Sequence, residues 1–395
     1  MSKLLTKVAA KNFRSLADVE VELGHINVFF GPNGAGKSTF LDTVWFVRDC
    51  AVRGVDEASS ARSHGIGILW DGAAEDDKLQ VAIETDKVRY ELSLSLSSGR
   101  IEQFPGEKLS SLAHGQEYIQ RSTGSDKVAF HRVKTDEKLF LTLREPEKLS
   151  LSRYLDFEQN APDVAELDRR LHYVHLLSSR SLALREIKRR GSERSHELWL
   201  WHNGQNLWSV LQNLQGRRAV DDRYDTILEF MRRAFPAFRD LVVESTGPSS
   251  VYGSIQEKER KRPILASGIS DGHIHLLILL TSLFSEGRDR TSILLFDEPE
   301  LSLHPWALAV LAEAIKTASA TWRKQLLIAT HSPVLMSQFE PADCLTTEIA
   351  GGRTVIRRVS DRPEIADLLQ QYALGSIFMA ESIAPQSSGG GGAPE

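Results

Sequence analysis

Apolar and polar positions follow three regimes along the chain. Residues 4–10 and 18–23 read as short strands flanking a turn at NFRSL (12–16). INVFF (26–30) is a continuous apolar run of strand length, and TFLDTVWFV behind it predicts a helix from about Lys37 to Cys50. Residues 79–97 alternate again and are rich in Val, Ile, Tyr and Thr, which predicts antiparallel strands. From 105 to 150 the pattern is polar, with no sustained period, and reads as further strands or an irregular insert.

Between 162 and 240 the period becomes helical. APDVAELDRRLHYVHLLSS starts at Pro162 and Asp163 and places Val164, Leu167, Leu171 and Val174 on one face. GQNLWSVLQNLQG and DRYDTILEFMRRAFPAF predict two more helices, and no heptad register persists long enough for a coiled coil. Strand patterns return in DLVVES, VYGSIQEKER, SILLF and QLLIAT. IHLLILLTSLF (274–284) is too short to span a bilayer and reads as a buried helix. The chain closes in SSGGGGAPE, a flexible-tail composition.

Two breaks in this pattern carry chemistry. In SILLFDEPELSLHP (292–305) a core strand runs directly into Asp297 and Glu298, and paired carboxylates at a buried strand end call for a cation or a reacting group. Far upstream, GPNGAGKST (31–39) fits G-x-x-x-x-G-K-[ST], with the required strand before it and helix after it. Glycines let backbone N–H groups of Asn33, Gly34, Ala35, Gly36, Lys37, Ser38 and Thr39 converge on phosphate oxygens, and the helix N-terminus adds positive potential. Lys37 is expected to reach the β and γ phosphates, with Ser38 and Asp297 as hard oxygen ligands of Mg²⁺. Glu298 is then placed to deprotonate an attacking water; the plain alternative is a solvated strand end. ATP hydrolysis is the leading chemistry, although no base-reading motif separates ATP from GTP.

Lys37 and Asp297 are 260 residues apart, so one site built from both ends requires a large insertion between them. The expected division is residues 1–100 and 251–360 as two halves of an α/β core, 101–250 as an inserted and largely helical arm, and 361–395 as a C-terminal helix and tail. The chain carries a net charge of −5, which confines any nucleic-acid contact to local patches. Cys50 and Cys344 are the only cysteines and form neither a metal spacing nor a disulfide framework. With no signal-peptide pattern in the opening residues, a cytoplasmic protein with no membrane partner is expected.

These motifs, in this order, resemble the ABC-type ATPase heads of the SMC, RecF and OLD group, and more closely the stand-alone bacterial ATPases of AAA-type annotation. KNFRSL (11–16) is similar to that group's opening strand and turn, GPNGAGKST to its Walker A, ILASGISDGHIHLLILLTSL (264–283) to its signature region, LLFDEPELSLHP to its Walker B and D-loop, and LLIATHSPVLM (326–336) to its switch strand. The resemblance implies a P-loop NTPase fold of the ABC/SMC-head kind, a mixed sheet with an antiparallel β subdomain and an inserted helical arm. It further implies that Ser270 and Gly272 touch the γ-phosphate held by a second subunit, and that Ser302, Leu303 and His304 cross the dimer interface. His331 would bond the γ-phosphate and the attacking water. Asp271 stands where transporters have glycine, and His273 where they have glutamine. Gln80 and Gln103 are the candidates for the Q-loop.

The remaining signals are weaker. His172/His175 and His273/His275 lack the carboxylate or thiol partners of a metal set and read as packing or surface residues. Arg14 is open between a nucleotide contact and a surface ion pair. LREIKRRGSER (184–194) and KERKR (258–262) are open between phosphate contacts and solvated surface. Trp199, Trp201 and Trp208 read as core or a partner surface. The function expected is a nucleotide-dependent dimerisation switch, an ATP-driven homodimer acting in DNA repair, DNA maintenance or phage defence, with DNA as a candidate partner. The alternative is an ATPase that regulates a companion effector, a nuclease or toxin, without touching DNA. A nuclease of the OLD type is disfavoured by the 55 residues after position 340, too few for a cutting domain. A transporter subunit is disfavoured by the signature, and a non-hydrolysing clamp by the intact motif residues.

Overall fold

The computed structural model describes residues 4–62, 67–74, 76–97, 100–133, 135–362, 368 and 373–380. The expected flexible tail lies outside these residues. The chain begins with β1 (Lys7–Phe13) and β2 (Leu16–Glu22), drops into the core as β3 (Ile26–Phe30), and continues as α1 (Lys37–Arg53) and α2 (Val55–Ser60). A run of strands follows: β4 (Leu79–Glu84), β5 (Val88–Leu94), the short pair β6 (Leu96–Ser97) and β7 (Arg100–Ile101), β8 (Gly106–Ser111), β9 (Glu117–Arg121), β10 (Lys127–Arg132) and β11 (Glu137–Thr142). Next come α3 (Ser150–Phe157), α4 (Pro162–His172), β12 (Val174–Ser178), α5 (Leu184–Arg190), β13 (Ser192–Glu193), α6 (Leu207–Gln215) and α7 (Arg223–Ala234). The chain returns through β14 (Phe238–Ser245), β15 (Ser250–Glu257), β16 (Ile264–Leu265), α8 (Asp271–Phe284), β17 (Ser292–Asp297), α9 (Pro305–Thr321), β18 (Lys324–Thr330) and α10 (Pro333–Met336). It ends in β19 (Cys344–Ala350), β20 (Arg353–Arg358) and α11 (Leu374–Met379).

Two sheets organise the molecule. The central one has the order β12-β17-β18-β3-β19-β20, parallel except for the antiparallel edge strand β20. Its strands read as continuous apolar runs because both faces are covered. Ile26, Val28 and Phe30 of β3 enter a core with α6 to α9, while Phe29 enters a second core with α1, α3, α4 and the other sheet. That second sheet is antiparallel, with the order β11-β10-β9-β8-β5-β4-β1-β2. A smaller sheet, β13-β15-β14 with β16 on β15, lies beside α6.

The expected α/β architecture with an added antiparallel sheet is borne out, but the segment 101–250 is not a largely helical arm. Residues 106–142 are four strands that extend the antiparallel sheet. Their polar faces hide the alternation: β11 is exposed at nearly every position. The long helix predicted from Pro162 stops at His172, and the apolar residues after it become β12, a strand of the central sheet. Val174 and Leu177 continue the spacing of Leu171, so periodicity alone could not separate the two elements. Among the described residues no helix is long and apolar enough to cross a membrane; IHLLILLTSLF is the buried body of α8.

Candidate functional site

Four neighbouring parallel strands, β12, β17, β18 and β3, end on one edge of the central sheet, and the motif residues hang from those ends, where open parallel sheets bind ligands. The loop from β3 to α1 depends on its glycines. A side chain on Gly31 (φ 150°) would lie 2.0 Å from the Thr347 carbonyl oxygen, and one on Gly36 (φ 99°) would lie 2.4 Å from Thr354 Oγ1. Lys37 is buried and donates to the carbonyls of Gly31 and Pro32, each at 2.8 Å. Burial pushes its ammonium down to about 8, against the pull of Glu298, Asp297 and Glu300.

Ser38, on the first turn of α1, donates to Asp297 Oδ1 at 2.6 Å, and Ser178 at the end of β12 donates to Asp297 Oδ2 at 3.2 Å. A hydroxyl and a carboxylate side by side at the phosphate loop are hard oxygen donors that fit Mg²⁺. Among the described residues no cluster of three or more His, Cys, Asp or Glu side chains could cage a metal. Such a cage is not what this ion demands, since it takes most of its shell from phosphate and water.

Glu298 adopts a left-handed backbone (φ 53°), and its side chain has a different partner, Arg180, from the Ser38 and Ser178 that hold Asp297. The Glu298 N–H donates to the Ala329 carbonyl at 2.8 Å, and its own carbonyl accepts from Ser179 Oγ at 2.6 Å. A non-glycine residue held in this region is strained, and such strain concentrates at functional positions. His331, just past β18, brings Nε2 to 3.8 Å from Glu298 Oε1. Burial, and then nearby Lys37, hold its imidazole below the ordinary value, so it is neutral at pH 7. Its backbone N–H donates to Glu300 at 2.7 Å, and burial pushes the Glu300 carboxyl upward.

The signature residues make a separate cluster. Ser270 caps α8, accepting from the His273 N–H, and a side chain on Gly272 would lie 2.5 Å from the Ser302 carbonyl oxygen. No hydrogen bond among the described residues links Ser270 or Gly272 to the Lys37–Asp297 group. Asp271 accepts from Lys188 Nζ at 2.6 Å, so its charge is neutralised by α5. His273 stacks on Phe235 at 3.6 Å, and His275 bridges Ser179 and the Leu301 carbonyl, tying the end of β12 to the loop after β17. His304 caps α9, while Arg14 pairs with Asp42. Neither Q-loop candidate enters the site: Gln80 pairs within the antiparallel sheet, and Gln103 donates to Asp56.

What the sequence reading missed is the end of β12. Ser178 donates to the Asp297 carboxylate, Ser179 to the Glu298 backbone carbonyl, and Arg180 clasps the Glu298 carboxylate through two hydrogen bonds. No local motif marks SSRS; only a strand assignment at 174–178 could have exposed it.

The strand order, phosphate loop and strand-end carboxylate define a P-loop ATPase fold of the SMC-head kind. The chain belongs to the family described as "AAA domain, putative AbiEii toxin, Type IV TA system", whose model matches residues 26–337. It is similar to an OLD nuclease of Thermus scotoductus, 20% identical over 388 residues that span 95% of this chain and 68% of that protein. It shares its fold with an SmcHead solved bound to the C-winged helix domain of ScpA, at 16% identity and a TM-score of 0.58, covering 90% of this chain and 98% of that one.

Proposed function

We propose that the chain binds ATP at this pocket, hydrolyses it, and uses the cycle to join and release a second copy. One observation carries the reading: the 2.6 Å hydrogen bond from Ser38 to Asp297, which brings residues 259 positions apart into one site. Lys37 exchanges its two carbonyl partners for the β and γ phosphates, and the N–H groups of residues 33–39 hold the phosphate chain. Ser38 and Asp297 would hold Mg²⁺, which when bound neutralises charge on the phosphate oxygens. Glu298 accepts the proton of the attacking water, and neutral His331 orients that water with its ring N–H or lone pair.

That no hydrogen bond among the described residues ties Ser270 or Gly272 to the Lys37–Asp297 group is compatible with a trans role, in which the signature of one copy closes the nucleotide of the other. With Asp271 paired to Lys188, the N-terminus of α8 presents Ser270 and free N–H groups to a phosphate without a competing carboxylate. Leu301 and Trp306, 44% and 60% exposed beside the loop after β17, supply an apolar rim of the kind that interfaces bury. Differential affinity of the joined and separate states for ATP drives the change.

The output proposed is DNA maintenance or defence against phage. A second reading, regulation of a companion nuclease or toxin, is favoured by the kinship to a protein named as a nuclease and by a family description that names a toxin. Glu298→Gln with ATP is expected to sediment as a dimer that retains nucleotide, and DNA added to the wild type to raise its hydrolysis rate. A variant that stays monomeric and hydrolyses normally would overturn the switch. Indifference of the rate to DNA would shift the output to the companion-protein reading.

A further inference from the structure

Arg180 lies on a single turn, Ser179–Ser181, immediately after β12. Its Nε donates to Glu298 Oε2 at 2.6 Å and its Nη2 to Oε1 at 2.7 Å. Both carboxylate oxygens are therefore engaged by a fork of donors, whereas a general base needs a lone pair open to its water. The two partners are held unequally. Glu298 is 16% exposed and fixed by Ala329 and Ser179, while the Arg180 side chain is 73% exposed and makes no other hydrogen bond among the described residues. If the pair comes apart, Arg180 is the one that moves. It also stays inside the constellation, close enough for its charge to act on Asp297 and His331.

We propose that Arg180 is a substrate-sensing lock on Glu298. In the nucleotide-free chain its guanidinium blocks the base, and the terminal phosphate of a bound triphosphate draws it away, arming Glu298 only when that phosphate is in place. The inference rests on the reading of this pocket as a nucleotide site. A terminal phosphate carries more charge than one carboxylate and offers the planar fork the same two-point geometry, while a diphosphate presents no group at that position. An ion pair this exposed adds little to fold stability, so the exchange costs the scaffold little.

The test is a double-mutant cycle read by equilibrium binding of the β,γ-imido analogue of ATP and of ADP, both with Mg²⁺. If Arg180 is shared between Glu298 and the terminal phosphate, Glu298→Gln frees it and tightens analogue binding by about five-fold, the scale of one exposed charged contact. ADP, which has no group at that position, gains no such tightening. Arg180→Ala weakens the analogue, and in Arg180→Ala/Glu298→Gln the gain disappears. A gain that survives in the double variant, or that appears equally with ADP, overturns the lock. ADP affinity doubles as the folding check, and Arg180→Gln runs the same cycle should the alanine variant not fold. An unaltered chain that binds neither ligand overturns the nucleotide reading itself and takes this inference with it, a different failure from an uncoupled cycle.

Discussion

Lys37 carries the charge state on which the proposed phosphate contact depends. Its ammonium is buried against two carbonyls, and the desolvation that lowers it to about 8 is only partly offset by Glu298, Asp297 and Glu300. A phosphate chain in the pocket would restore the charged form, so binding is linked to proton uptake. At pH 8 about half of the Lys37 side chains in the free chain lack the proton, against about a tenth at pH 7. ATP binding is therefore expected to take up close to half a proton more at pH 8 than in Lys37→Arg, and affinity falls as pH rises through 8. Calorimetry in buffers of different ionisation enthalpy measures this; uptake identical in both proteins would show that Lys37 is already fully charged.

At the scale of elements, the edge of the central sheet opposite the site is held by a buried polar clamp. Glu286, just past α8, accepts from Lys324 at the start of β18 and lies 3.2 Å from His175 of β12, while Lys324 also donates to Ser292 of β17. Burial opposes the charge on Glu286, but His175 and Lys324 together hold its carboxyl well below the usual range. Removing one partner leaves the other buried and unpaired. Glu286→Ala is expected to cost about 3–5 kcal/mol in urea unfolding at pH 7, and Glu286→Leu/Lys324→Met less than either single change. A depressed carboxylate stabilises above its unfolded value, so the deficit of Glu286→Ala should shrink as pH falls below about 4.5. A deficit independent of pH would deny the clamp.

This scale also separates what was legible in the chain from what was not. The phosphate loop and the Asp297–Glu298 strand end are local patterns, each a strand running into a polar turn, and they could be read before any fold was known; His331 carries no such pattern of its own and was reached only through the family resemblance. β12 could not be read, because Val174 and Leu177 satisfy a continuing helix as well as a strand, and with it went Ser178, Ser179 and Arg180. β8 to β11 were hidden for the opposite reason: a sheet with a wet face leaves too few apolar positions to show its period.

At the scale of the molecule, the antiparallel sheet and the helices of residues 106–284 separate the two halves of a single pocket in sequence but not in space. β3 lies beside β18, and β18 beside β17, so the first 40 residues and the stretch 292–331 meet along one sheet. The claim that this junction is a magnesium–nucleotide site is tested most directly by titrating ATP into the chain with Mg²⁺ and with EDTA, and repeating the titration with Ser38→Ala and Asp297→Asn. The account predicts that the unaltered chain binds ATP, that Mg²⁺ tightens binding by at least about tenfold, and that both substitutions remove that gain. Binding of equal strength in EDTA, or a magnesium gain that survives both substitutions, would contradict it.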